Sequence, residues 1–186
     1  TLVKAFSLMA GGDTLIIANG TYTGVDNMIG DSAGYIGGGP GHLPPNGTNG
    51  KYTIIKAENE GEVTFDGQET YNTFNLGGND GLSYVEFRGI KWIRPPGNNG
   101  IGPVSISWYS PTHHLKWFRC GAMLDNPTTN IATWSIAGGE YYLLEECYAW
   151  GRGRYMFLIA DLHPGSGARK AILSSTRAGR KKLGNP

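Results

Sequence analysis

Apolar positions along this chain come in short bursts separated by glycine, proline and polar turns. Only the start of the chain has a helical rhythm. Leu2, Val3, Phe6 and Met9 fall on one face, and Gly11-Gly12 follows, so a short amphipathic helix is predicted over 2–10. The apolar run 14–18 reads as a strand closed by Asn19-Gly20, and 21–24 as a second short strand or corner. Residues 25–50 have little periodicity, many glycines and three prolines, and are expected to form a long loop excursion. From residue 51 onward the pattern predicts strands at 52–57, 63–65, 73–76, 84–87, 90–93, 104–108, 114–118, 132–136, 142–145, 155–159 and 171–173. Breaks fall at Gly67, Gly77-Gly78, Pro95-Pro96, Gly138-Gly139 and Pro164-Gly165.

Four of these segments resemble one another: 84–91, 115–122, 142–149 and 171–178. Each carries apolar residues, then a polar residue, then a small one. The small residues are Gly89, Cys120, Cys147 and Thr176, spaced 31, 27 and 29 apart. A recurrence of this length implies stacked structural repeats. A single coil of strands cannot bury its own inner face. Stacked coils pair each strand with its neighbours and line up the inward side chains. The expected architecture is therefore all-β, a parallel β-helix (solenoid) of about six coils. The short N-terminal helix would cap its open edge. The predicted organisation is one solenoid domain over 1–178, with 1–11 as cap, and a basic C-terminal tail over 179–186.

Composition supports many tight turns. Glycine accounts for 30 of 186 residues, without the Gly-X-Y period of collagen. Formal net charge is +1, but it is unevenly distributed. Residues 169–186 hold Arg169, Lys170, Arg177, Arg180, Lys181 and Lys182 and no acid, and the rest of the chain is net acidic. Such a stretch suits a polyanion or a solvated terminus. The body does not repeat the basic pattern, so nucleic acid ranks last as a partner. No apolar run reaches the ~18 residues that a membrane-spanning helix needs. Two cysteines are too few for a disulfide framework. Cys120 and Cys147 are expected one coil apart in one column, either bridged or as buried thiols.

The stretch 12–22, Gly-Asp-Thr-Leu-Ile-Ile-Ala-Asn-Gly-Thr-Tyr, resembles the opening coil of the pectate-lyase-like superfamily of right-handed parallel β-helices. Alginate- and chondroitin-type polysaccharide lyases often begin their helix this way. Residues 63–67, Val-Thr-Phe-Asp-Gly, are similar to their second coil. The resemblance implies a right-handed solenoid, an extracellular or cell-surface setting, and an acidic polysaccharide held along a groove on one outer sheet. The opening coil is shared by lyases, hydrolases, epimerases and tailspikes, so it specifies fold rather than activity. The chain has fewer coils than members of that superfamily usually carry. It is expected to be a truncated or naturally short member.

β-Elimination beside a uronate carboxylate needs a base, often Lys or Arg, and a group that neutralises the carboxylate, either Ca²⁺ or further Arg. Arg88, Arg119 and Glu146 occupy the same expected repeat position, just before the small residue, with Lys91 nearby. They form either an outward functional column or a solvated face of cross-strand charge pairs. Arg152 and Arg154 lie in a glycine-punctuated turn between Trp150 and Tyr155. Arg can grip carboxylates in a bidentate fashion and the aromatics can stack on sugar rings, although a simple exposed turn fits as well. Arg154, Arg119 and Lys91 are thus the candidate catalytic residues. Arg152, Arg88, Trp150, Tyr155 and Glu146 are the candidate substrate contacts. Trp92, Trp108, Trp117 and Trp134 are either a further stacking surface or core. The carboxylates of Glu58, Glu60, Glu62 and Asp66 are candidate Ca²⁺ ligands, and His113, His114, Asp161 and His163 are candidate acid–base or metal groups. Their spacing fits no metal signature. The competing function is a non-catalytic assembly module, a phage or surface appendage or a filament subunit, that self-associates through the solenoid end.

Overall fold

The computed structural model describes residues 1–30, 42–77, 81–97, 99–108, 110–125, 127, 130–160 and 171–180. Within these residues the chain is a parallel β-solenoid with three sheets and one short N-terminal helix. The first sheet runs β1 (Thr14–Ile17), β4 (Thr53–Ala57), β7 (Ser83–Arg88), β10 (His113–Phe118), β13 (Glu140–Glu145) and β16 (Ala171–Ser174). The second runs β2 (Gly20–Tyr22), β5 (Val63–Asp66), β8 (Ile90–Ile93), β11 (Gly121–Leu124), β14 (Tyr148–Gly151) and β17 (Arg177–Arg180). The third runs β3 (Ile29–Gly30), β6 (Phe74–Leu76), β9 (Val104–Ile106), β12 (Ala132–Ile136) and β15 (Tyr155–Ile159). Neighbours in each sheet are three apart in sequence order and all pair in parallel.

Strand alternation sends every second side chain inward, and parallel register stacks these side chains into ladders. In the first sheet one ladder is Leu15, Ile55, Phe87, Trp117, Leu144 and Leu173. In the third it is Ile29, Phe74, Val104, Trp134 and Phe157. Side-chain volumes compensate within a coil. Trp117, Ala122 and Trp134 point inward from β10, β11 and β12, two large residues and one small, all buried. The two indoles meet edge to face at 5.8 Å. Such a pair contributes roughly 0.5–1.5 kcal/mol beyond its buried area.

The helix α1 spans Leu2–Phe6, shorter than the predicted 2–10. Ser7 ends it, with its hydroxyl donating to the Lys4 carbonyl. The chain then turns back, and Asp13 accepts from the Ala10 N–H at 2.7 Å. Leu2 and Phe6 close the end of the core. The predicted loop over 25–50 contains β3 and a 3₁₀ turn, Val25–Asn27. Its residues 31–41 lie outside the described residues, as do Gly78, Asp161, His163, Pro164-Gly165, Arg169, Lys170 and the tail from Lys181.

The passage from first to second sheet corrects the register read from the repeat. The corner is a single residue in left-handed conformation: Gly89 (φ 65°), Arg119 (φ 50°), Glu146 (φ 53°) and Ser175 (φ 52°). Gly89 therefore stands level with Arg119 and Glu146, not with the cysteines. A Cβ on Gly89 would meet the Glu60 Cα at 2.9 Å, so this coil needs glycine. The other corners carry side chains where they cost about 1–2 kcal/mol each. Cys120 and Cys147 point inward one position later and are free, fully buried thiols. Burial pushes both thiols up, Cys147 to about 11. Each corner also ends a strand. Each repeat stretch, such as 115–122, spans two strands that meet at the corner, and the second members β11, β14 and β17 are not among the predicted strands.

Candidate functional site

The outer face of the second sheet holds the most site-like surface. Its outward side chains form two columns. One is Thr64, Lys91, Gly121, Tyr148 and Arg177, and the other is Ile93, Met123, Trp150 and Gly179. Glycine at two of these positions shapes the surface. A Cβ on Gly121 would fall 2.2 Å from the Tyr148 ring, and one on Gly179 would fall 2.2 Å from the Trp150 ring. Tyr148 therefore lies over Gly121 of β11 and Trp150 over Gly179 of β17, each ring in the space that a side chain would fill there. A groove of about 250 Å³ results, lined by Thr64, Lys91, Ile93, Met123, Tyr148 and Trp150 over a floor of Gly121 and Ala122. Tyr148 is 38% exposed and Trp150 45%. Burial, and then the thiols Cys120 and Cys147, raise the Tyr148 phenol above its ordinary value. At neutral pH the phenol keeps its proton and can donate. Trp134 holds β14 from inside, its indole N–H donating to the Tyr148 carbonyl at 3.2 Å.

Two of the predicted residues, Lys91 and Trp150, meet in this groove. The other six flank it on both sides. Arg119 and Glu146 sit at the corner with the first sheet. Arg119 donates from Nε to Glu60 at 2.6 Å, places Nη2 at 2.6 Å from its second oxygen, and reaches Glu146 at 3.5 Å. These carboxylates raise the guanidinium pKa further, with the Glu60 hydrogen bond the largest cause. The same contact lowers Glu60. Arg119 thus stays protonated and cannot accept a proton. Arg88 stands one position earlier than the repeat suggested. It pairs in register with Lys56 and Phe118, bonds Glu86, and lies 5.5 Å from the Phe118 ring.

At the opposite border, the turn carrying Arg152 and Arg154 is anchored through its backbone. Arg152 N–H donates to the Leu124 carbonyl at 2.7 Å and Arg154 N–H to the Ile131 carbonyl at 2.8 Å. These amides are occupied, so they do not form an anion nest. The Arg152 side chain turns back to the Asp125 carbonyl, and the Arg154 guanidinium lies 5.1 Å from the ring of Tyr155, which is itself exposed. The glycines serve close packing. A Cβ on Gly151 (φ 126°) would fall 2.1 Å from the Leu124 carbonyl oxygen.

Among the described residues no three His, Cys, Asp or Glu side chains converge to hold a metal. The acids read as Ca²⁺ candidates are dispersed: Glu60 is bound to Arg119, and Asp66 to Arg94 at 2.9 Å. Trp92, Trp117 and Trp134 are core residues, and Trp108 is half exposed.

Sequence reasoning missed Tyr148, although the alternation Tyr148, Ala149, Trp150, Gly151 carries the signal of an outward pair. It also missed a stack on the first sheet. Tyr84, His114 and Tyr141 are in register, all left-handed (φ 54°, 55° and 59°), and their rings stack at 4.6 and 4.5 Å. His114 is also paired through its Nδ1 with the Nδ1 of His113 at 2.9 Å. The chain matches no known protein-family model, and no curated protein matches it.

Proposed function

We propose that the protein is a carbohydrate-active β-solenoid, right-handed and of the pectate-lyase-like type, that binds an acidic polysaccharide along the outer face of the second sheet. The observation that carries this reading is the convergence of Lys91, Tyr148 and Trp150 on one groove. An open groove with an apolar floor suits the C–H face of a sugar ring, which packs against aromatic faces. Lys91 supplies a point charge for a carboxylate, and the Tyr148 phenol a hydrogen-bond donor. Right-handedness follows the strong preference of parallel crossover connections. Such a ligand places the protein outside the cell or on its surface.

The reading is tested by affinity electrophoresis in gels containing alginate, pectate or chondroitin sulfate, with a neutral glucan as control. Retardation by an acidic polymer is expected, and Trp150→Ala should abolish it. Equal mobility in every gel overturns the proposal. Ultraviolet absorbance of the unsaturated uronate, followed with and without Ca²⁺, separates a lyase from a binding protein.

A second reading, self-association, has one observation in its favour. The core ladder from Ile55 to Leu144 is fully buried, yet its last member, Leu173 on β16, is 42% exposed. Ile159, at the matching place on β15, is 38% exposed. A second copy could cover these ends, and sedimentation velocity over a concentration series would report it.

A further inference from the structure

We infer that the groove is the middle of a longer site with a cation at each end, which selects an acidic oligosaccharide by the spacing of its anionic groups. This rests on the reading of the groove as a polyuronate site. Lys91 on β8 and Arg177 on β17 belong to one outward column, separated by Gly121 on β11 and Tyr148 on β14. Three strand steps of ~4.8 Å place the two backbones about 14 Å apart.

Several cations bordering the groove are already occupied. Arg88 is paired with Glu86, Arg94 with Asp66, and Arg119 with Glu60 and Glu146. Arg152 is turned onto a backbone carbonyl and Lys116 lies over the Tyr52 ring at 3.9 Å. Lys91 and Arg177 make no ion pair among the described residues, and Arg177 is exposed. Two cations with no ion pair among the described residues, on either side of Tyr148, complement a ligand that is anionic, then apolar, then anionic along the solenoid axis.

An extended chain of uronate residues has this character. One carboxylate meets Lys91, the intervening ring lies across Tyr148 and Trp150, and a later carboxylate meets the Arg177 guanidinium, which can take it in bidentate fashion. Once the first end is bound, the second contact is intramolecular. It strengthens binding only when the ligand is long enough to span the gap.

The experiment is isothermal titration of the full chain with oligo-uronates of increasing length, dimer to hexamer. The expected result is a step of about tenfold or more in affinity at the first oligomer whose carboxylates span the gap. Arg177→Ala should remove the step and leave the affinity for the shortest ligands unchanged. Arg177→Lys should keep part of it. Circular dichroism of each variant confirms that the sheet is intact. If affinity rises smoothly with length, or if the step survives in Arg177→Ala, the two-cation site is wrong while the groove assignment stands. If no oligomer of any length binds, the groove assignment fails and this inference falls with it.

Discussion

Two aromatic sets lie on neighbouring outer faces of this solenoid, and they are built in opposite ways. On the first sheet, Tyr84, His114 and Tyr141 stack face to face at 4.6 and 4.5 Å. His114 is covered on both faces, and the end ring Tyr141 is covered by it on one face and stays 40% exposed. On the second sheet, Tyr148 and Trp150 have no aromatic neighbour in register. Each lies over a glycine, one on each side of β14. Each ring fills the space that a side chain would take on the neighbouring coil and stays partly exposed. An aromatic ladder at consecutive coils stabilises the solenoid, whereas an aromatic next to a glycine makes a platform. Residue type alone does not separate the two, and the residue one coil away does.

The sharpest way to break this contrast is to fill a glycine. Gly121→Val places a branched side chain where the Tyr148 ring now sits, 2.2 Å from the ideal Cβ. Overpacking of this kind costs about 1–3 kcal/mol. Urea unfolding should show a loss in that range. Polysaccharide affinity should fall by about tenfold or more, equivalent to ~1.4 kcal/mol. A variant that binds as well as the parent would mean that the ring is not the platform.

The ladder should respond in the reverse manner. His114→Ala removes the central ring and both stacks, each worth roughly 0.5–1.5 kcal/mol. A stability loss near 1–3 kcal/mol is expected, with polysaccharide affinity unchanged. A drop in affinity equal to that of Gly121→Val would erase the distinction between the two faces.

The ladder should also sense pH. Burial lowers the His114 pKa, the neighbouring His113 and Lys116 lower it further, and only Glu140 opposes them. The flanking rings are Tyr84 and Tyr141. The short Nδ1 to Nδ1 contact with His113 needs one donor and one acceptor, which two imidazolium rings cannot supply. The unfolded chain therefore binds a proton more readily at His114 than the folded chain does. This contribution is complete above the unfolded value of ~6.5 and is lost as pH falls below it. Melting temperature should drop over that window, and His114→Phe should flatten this part of the profile. A profile identical in both proteins would contradict the assignment.

The smallest effect is expected at the corner. Arg119 is paired with two carboxylates on an exposed surface, where such pairs contribute about 0–1 kcal/mol. It is also held at a φ that glycine adopts freely. Arg119→Gly should therefore be at least as stable as Arg119→Ala in urea. The opposite order would mean that this corner residue is not left-handed.

The repeat made the solenoid legible, because inward ladders demand apolar residues at recurring places. The corner was less so. Arg119, Glu146 and Ser175 adopt a left-handed conformation that nothing in their side chains announces, and Gly89 alone hinted at it. Aligning small residues with one another therefore shifted Arg88 by one position, and the strands β11, β14 and β17 that follow the corners were not predicted. Of the site, Lys91 and Trp150 were legible as a cation and an exposed aromatic. Tyr148 was not, because its room comes from Gly121 in the previous coil. Arg177 read as part of a basic tail until pairing placed it level with Tyr148. The guanidinium of Arg119 looked available in the sequence, and only the fold brings Glu60, 59 residues away, onto it.

The central claim, that the outer face of the second sheet is the ligand surface, is tested most directly by hydroxyl-radical footprinting with and without saturating polyuronate. Protection is expected at Met123, Tyr148 and Trp150, with Tyr141 and the exposed Trp108 labelled equally in both samples. Unchanged labelling at Tyr148 and Trp150, or protection confined to Tyr141 or Trp108, would contradict the account.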